Sequence, residues 1–334
     1  MSADPTAPEV TVWLDEAYEK PITGLIDVMG GGVRPIAVGG PVAEGRARLA
    51  RALDVPQYDD LRKMLVDQPA GFLLLGTVNG VGEDDLPMAM ARGAAVLSYE
   101  PVASSLGELE HLVEPAVPAD GGAHLGGRIV HTPGFERSPG FLAAADPHDA
   151  LGEQRTLAMT NLGPKGAGSL FTRLFDAWVT LLGFMDLPET ISASLTGQNG
   201  PVPDSPRDLT GRLTAHSRQP DGGSAVIFAS DQAAPTPRSL HTLGDESQLL
   251  ITDAGYILRR LAGEVVDEYT HDGPTSPTDL VAHQWRRLID QRAAAGDPGM
   301  TRERSALACC LACQLSARTG QPESPARLAQ MTRR

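Results

Sequence analysis

Val10-Thr11-Val12-Trp13-Leu14-Asp15-Glu16-Ala17-Tyr18-Glu19-Lys20, followed by an apolar-periodic run from Pro21 to Met29, is the stretch that decides how this chain is read. Val10 to Leu14 has the continuous apolar character of a buried strand, and Pro21 to Met29 that of the helix after it. A dinucleotide fold places three glycines in such a turn, for tightness, for close backbone approach to the diphosphate and for helix-on-strand packing. The turn Asp15 to Lys20 contains no glycine, and the three offsets carry Asp15, Ala17 and Lys20.

Outward from that turn the pattern alternates. Gly30-Gly31-Gly32 stops the helix, Arg34 to Val38 is a second strand, and Ala47, Leu49, Ala50 and Leu53 mark a helix over Glu44 to Leu53. A short helix is expected over Tyr58 to Val66, a third strand over Gly71 to Thr77, a helix over Asp84 to Gly93 and a fourth strand over Ala94 to Ser98. Strands covered on both faces by helices lose their polar alternation, and this βα order implies a doubly wound parallel sheet.

Pro115 to Gly122 reads as a domain boundary, giving domains 1–118 and 119–334. Beyond it, short strands are expected over Arg155 to Thr160, Thr190 to Leu195, Arg212 to His216, Ala225 to Ser230 and Gln248 to Thr252. Few helices separate the last four, which favours an open, largely antiparallel or mixed sheet. Helices are expected over Gly168 to Gly183, Leu280 to Ala294 and Thr301 to Arg318, and a loop over Gly197 to Arg207.

A chain of 334 residues is long enough for two cores. Its 28 basic and 42 acidic residues leave a net charge of −14, which argues against a nucleic-acid or anionic-membrane surface. No apolar run has the length of a membrane span, and the first nine residues have no leader-like apolar core. Cys309, Cys310 and Cys313 share one expected helix where a disulfide is geometrically poor, so a reducing cytoplasm is the expected compartment. Without a second cluster, the three thiols read as small-residue packing rather than a metal site. The eight histidines are scattered, with no zinc spacing; His131 and His148 lie nearest the segment that opens the second domain.

The order of elements and several short motifs resemble the Gfo/Idh/MocA superfamily of NAD(P)-dependent sugar and cyclitol oxidoreductases. The resemblance lies in Gly76-Thr77-Val78-Asn79-Gly80 after the third strand, Gly93 to Ala103 around Glu100-Pro101, Leu151 to Leu157, Ser169 to Gly183 with Asp176 and Gly183 in register, and Ala312-Ser316-Gly320. It spans nearly the whole chain. It implies a Rossmann-like domain followed by an α/β domain whose open sheet builds a dimer face. It also implies that Asp15, Ala17, Lys20, Thr77, Asn79 and Pro101 stand at cofactor-touching positions, and Glu100, Arg173 and Asp176 at positions of the catalytic segment.

At those positions the chain departs from the family's chemistry. The ribose-holding acid aligns with Gly39 or Gly40, the lysine of the Glu-Lys-Pro motif with Glu100, and the aspartate and histidine of the later helix with Ser169 and Arg173. A carboxylate about 5 Å from a phosphate charge, at an effective dielectric of about 20, is repelled by roughly 3 kcal/mol, more than a hundredfold in affinity. Arg173 cannot act as a base, though it can clamp an anion; Glu100 can serve as one if burial raises its pKa. The bland alternative for Arg173 and Asp176, spaced i, i+3, is a helix-surface ion pair.

Three readings follow. The first is a non-redox member of the fold, with no cofactor, acting as a partner or scaffold subunit in a homo- or hetero-oligomer with an active paralogue. The second is an NAD(P)-dependent sugar or cyclitol oxidoreductase with an atypical site, using Lys20 for phosphate and Glu100 as base. The third is a non-redox enzyme or anion binder built on Arg173 in the interdomain cleft. Whether Tyr18 and Tyr99 plug the cleft beside Leu14 discriminates among them.

Overall fold

The computed structural model describes residues 7–113, 128–148, 151–152, 154–290 and 300–331. The expected boundary at Pro115 to Gly122, the cut between 118 and 119, His124 and the side chain of His148 lie outside these residues. Two compact units are formed, each discontinuous in sequence: residues 1–102, 108–133 and 276–300 make the first, and 103–107, 134–275 and 301–334 the second.

The first unit is built on six parallel strands. They are β1 (Glu9–Trp13), β2 (Arg34–Gly39), β3 (Gln57–Tyr58), β4 (Phe72–Leu75), β5 (Ala95–Ser98) and β6 (Ile129–His131), in the order β3-β2-β1-β4-β5-β6. Val12 pairs with Val38 on one side and Leu74 on the other, and all three are fully buried, which is why these strands read as unbroken apolar runs. Helices α1 (Glu19–Met29), α2 (Ala43–Leu53), α3 (Leu61–Asp67), α4 (Asp85–Ala91) and α5 (Leu106–Val113) connect them. The connection from β1 runs to β2 on one side while β4 lies on the other, so the switch in winding direction falls between β1 and β4.

Two expectations here are corrected. The segment expected as a helix from Tyr58 is first a strand, because Gln57–Tyr58 pairs with β2, and the helix begins only where the Asp60 carboxylate accepts the amide of Lys63. The first helix begins earlier than Pro21: a 3₁₀ turn at Glu16–Tyr18 runs straight into α1, and Pro21 sits in its first turn where a missing N–H costs little. The core of this unit is completed from the far end of the sequence, by Val281, Trp285 and Leu288, with the Trp285 ring 6.1 Å from that of Phe72.

The second unit opens with α6 (Pro139–Ala143) and α7 (Ala145–His148). It then carries β7 (Gln154–Leu162), α8 (Leu170–Leu181), β8 (Thr190–Thr196), β9 (Arg212–Arg218), β10 (Ser224–Ser230), β11 (Ser239–Gly244), β12 (Ser247–Thr252), β13 (Gly255–Arg260) and β14 (Val265–Thr270). The strands form one mixed sheet, β14-β13-β12-β11-β7-β10-β9-β8, parallel only between β7 and β10. Burial alternates along β9, where Leu213 and Ala215 are buried while Thr214 and His216 are exposed, as expected for a sheet covered on one face. After α9 (Pro277–Asp290), which belongs to the first unit, the second unit ends with α10 (Thr301–Thr319) and α11 (Pro325–Met331). Helices α8 and α10 pack on the covered face. Cys309, Cys310 and Cys313 are fully buried there, and burial pushes all three thiols up, Cys313 to about 12, which suits packing.

Candidate functional site

The carboxyl ends of β1, β4 and β5 converge at the winding switch, the place where open α/β sheets hold their ligands. Strand β1 is tied in at its end, with the Leu14 amide donating to Gly39 O at 3.0 Å and the Gly76 amide to Trp13 O at 2.7 Å. Asp15 then leaves the strand in an extended conformation and caps the helical run that follows: its Oδ1 accepts the Ala17 amide at 3.0 Å. An unsatisfied amide at a helix start is what grips a phosphate. Here the chain's own carboxylate has taken it.

Tyr18 carries the next contact. Its side chain lies on Gly76, where an added Cβ would come within 2.9 Å of Tyr18 Cβ, and its hydroxyl donates to Glu100 Oε1 at 3.0 Å. The Tyr18 and Tyr99 rings meet at 5.5 Å between centroids, and each residue is 8% exposed. Tyr18 therefore crosses from the turn after β1, over the end of β4, to the segment after β5. Burial first, then the Glu100 carboxylate, holds its phenol far above the ordinary range, so it is a permanent donor. Burial likewise raises Tyr99, whose hydroxyl has no hydrogen-bond partner among the described residues.

The remaining expected positions are occupied by structural contacts. Trp13 is fully buried and lies so close to Gly39 that a Cβ there would sit 2.5 Å from its ring, which is why β2 ends without an acid. Its Nε1 donates to Asn79 O at 3.0 Å, while Thr77 Oγ1 accepts the Asn79 amide at 3.2 Å, a closed turn. Pro101 is buried, and Ser98 Oγ donates to Glu100 O at 2.5 Å. Lys20 is exposed on α1. The nearby cation Arg48 is shared among Glu19 at 2.6 Å, Glu16 at 3.6 Å and Glu44 at 3.7 Å.

These residues do not fit a dinucleotide. The Ala17 amide at the helix start is capped by Asp15, Tyr18 lies over Gly76, β2 ends on Gly39 with no acidic side chain, and the cation at that end, Arg46, is turned onto Gly40 O at 2.8 Å.

In the second unit the helix-surface ion pair between Arg173 and Asp176 is not what forms. Asp176 is 3% exposed and pairs with Arg238, Oδ2 to Nη1, at 2.9 Å. It also accepts the Phe135 amide at 2.8 Å and Asn161 Nδ2 at 3.0 Å. Arg238 is held from its other side by Asp253 at 2.6 Å and lies 5.5 Å from the centroid of the Phe135 ring. Arg173 turns the other way. It donates from Nη1 to Asn161 Oδ1 at 3.2 Å and from Nη2 to Ala167 O at 2.5 Å, pinning the loop before α8 against Gly163. Ser169 is the N-cap of α8, its Oγ accepting the Thr172 amide at 3.1 Å. Neither Ser169 nor Arg173 supplies a base. Asn161, Arg238 and Asp253 carry no local motif; they become a group only when strands far apart in sequence are brought together. No cluster of three or more potential metal ligands occurs among the described residues, and no described helix is long and apolar enough to cross a membrane.

No family model matches the chain, and no curated protein matches its sequence. Solved structures do match its fold. A levoglucosan dehydrogenase, in complex with NADH and levoglucosan, superposes with a TM-score of 0.72 at 13% identity, over 96% of this chain and 99% of that one. An Agrobacterium radiobacter oxidoreductase in complex with NAD⁺, L-tartaric acid and magnesium has a TM-score of 0.72 at 13% identity, over 97% and 100%. A myo-inositol dehydrogenase from Corynebacterium glutamicum has a TM-score of 0.67 at 13% identity, over 95% and 98%. The fold these structures share with the chain is a Rossmann-like parallel sheet with a second, mixed-sheet unit.

Proposed function

We propose that the chain is a non-redox member of this oxidoreductase fold, working in the cytoplasm as a partner or scaffold subunit with a second copy or a related active chain. The observation that carries this reading is the closed winding switch: Asp15 caps the amide a phosphate needs, and Tyr18 spans the crevice to Glu100. The open face of the second unit's sheet supports the partner role. One row of paired residues, Ile257, Leu250, His241, Ala158, Val226 and His216, crosses six strands of it. Phe228 and Leu243 on the same face stay 43% and 36% exposed. Light scattering on the purified chain, alone and mixed with a related active chain, tests this role; a monomer that captures neither itself nor the relative contradicts it.

A second reading has its own support. The solved structures of this fold include dehydrogenases in complex with NADH or NAD⁺, which favours a nicotinamide-dependent sugar or cyclitol oxidoreductase with an atypical site. On that reading Glu100 is the base, Lys20 meets phosphate, and Tyr18 must leave the crevice. It predicts turnover that Glu100→Gln abolishes. The third reading, an anion site on Arg173, draws no support from the second unit, where both terminal nitrogens of that guanidinium are engaged.

A further inference from the structure

We propose that Asn199 is a site of spontaneous covalent modification, deamidated by the backbone nitrogen of Gly200 to aspartyl and isoaspartyl forms, while Asn79, in the identical dipeptide, is protected by the fold. The chain holds three asparagines, and two of them, Asn79 and Asn199, precede glycine. A following glycine favours the reaction because it sets no side chain against the attacking nitrogen and leaves the backbone free to turn. Sequence alone therefore ranks the two sites equally.

The reaction is an internal acyl transfer. The Gly200 amide nitrogen gives up its proton and bonds to Cγ of Asn199; the Cγ–Nδ2 bond breaks, and ammonia leaves with that proton, closing a cyclic imide. Water then opens the ring. Breaking the bond from nitrogen to Cγ gives aspartate, and breaking the bond from nitrogen to the backbone carbonyl carbon gives isoaspartate, in which the main chain runs through the former side chain. Water is the only co-reactant. The rate is set by whether the peptide plane after the asparagine can rotate to bring the glycine nitrogen onto Cγ.

At Asn199 nothing holds that plane. Asn199 and Gly200 lie in the loop between β8 and β9, both are exposed, and neither makes a hydrogen bond to another described residue. A Cβ on Gly200, at φ +97°, would meet nothing within 4 Å. The loop is clipped on either side of the pair, where Gln198 Oε1 accepts the Thr210 amide at 3.0 Å and Pro203 O accepts Gln314 Nε2 at 2.6 Å, so the pair can turn without releasing the strands.

At Asn79 the same plane is pinned. Asn79 O, which shares it with the Gly80 nitrogen, accepts Trp13 Nε1 at 3.0 Å from a fully buried ring. The Asn79 amide donates to Thr77 Oγ1 at 3.2 Å, and the Val81 amide closes onto Val78 O at 3.2 Å around the dipeptide. Rotation there strips a buried indole of its acceptor, so Asn79 is exposed like Asn199 yet conformationally held.

The test is incubation of the purified full chain at mildly alkaline pH, folded and in urea, followed by peptide mapping with mass spectrometry and by an isoaspartate-specific carboxyl methyltransferase with labelled S-adenosylmethionine. In the folded chain Asn199 is expected to convert at least about tenfold faster than Asn79, and in urea the two rates are expected to converge. An Asn199 that stays intact in the folded chain over the time in which it converts in urea overturns the modification site. Equal conversion of the two in the folded chain, or a difference that persists in urea, overturns protection by the fold.

Discussion

The hydroxyl of Tyr18 donates to the carboxylate of Glu100 at 3.0 Å, across 82 positions of sequence. The bond joins the turn after β1 to the segment after β5 and roofs the strand end at Gly76. In a parallel sheet the loops beyond the carboxyl ends are free to diverge, so a side chain spanning two of them fixes the shape of the crevice. The two residues also explain each other: a half-buried carboxylate wants a donor, and a buried phenol wants an acceptor.

Tyr18→Phe removes that donor and nothing else. It should destabilise the protein by about 1–2 kcal/mol, seen as a lower urea midpoint with an unchanged slope. In a double-mutant cycle with Glu100→Gln the two changes should couple by about 1 kcal/mol, whereas additivity within a few tenths would show that the pair is not formed in solution.

Asp15→Ala frees the Ala17 amide and should cost about 1 kcal/mol, with Asp15→Asn or Asp15→Ser recovering most of it. A loss unaffected by the capping ability of the replacement would mean that the carboxylate serves something other than the helix start.

Arg238 stands between two buried acids, Asp176 and Asp253. Arg238→Leu leaves both without their cation and should cost at least about 3–5 kcal/mol or prevent folding, while Arg173→Ala costs much less. Thermal unfolding of the two variants gives the comparison, and equal losses would contradict the assignment of the buried network to Arg238.

Glu303, in the first turn of α10, is held above the ordinary carboxylate range, burial being the largest cause. A carboxyl raised in the folded state contributes stability that is complete below its unfolded pKa and is lost as pH rises through the folded value. Glu303→Gln should therefore match wild type at about pH 3 and melt higher than wild type at about pH 7. A gain of the same size at both pH values would rule out the titration as its source.

Phe228 and Leu243 lie on the exposed face of the mixed sheet. If that face holds a second chain, Phe228→Glu/Leu243→Glu should convert an oligomer to a monomer in light scattering without lowering the unfolding temperature of the monomer. A native oligomer that survives the change places its interface elsewhere.

How much of this was legible beforehand follows from burial. Strands β1, β4 and β5 are covered on both faces, so Val10 to Leu14, Gly71 to Thr77 and Ala94 to Ser98 announce themselves as apolar runs. Of the strands not expected, β3, β6, β11, β13 and β14, the shortest and the most exposed carry no signature, whereas β11 and β13 alternate in burial over only six residues each. β14, Val-Val-Asp-Glu-Tyr-Thr, is exposed at every position and shows no alternation, and β6 is only three residues long. The absence of glycines after β1 was visible in the sequence, as was the replacement of lysine by Glu100. That Tyr18 reaches Glu100 was not, nor that Asp176 turns inward to Arg238, 62 positions away. No local periodicity encodes contacts made only when distant strands align.

The most direct measurement is calorimetric titration of the purified wild-type chain with NAD⁺, NADH, NADP⁺ and NADPH in turn. The closed crevice predicts no saturable heat for any of the four up to about 1 mM. A saturable isotherm at micromolar concentration for any one of them, lost in a competing titration with the same nucleotide, would contradict the account at its centre.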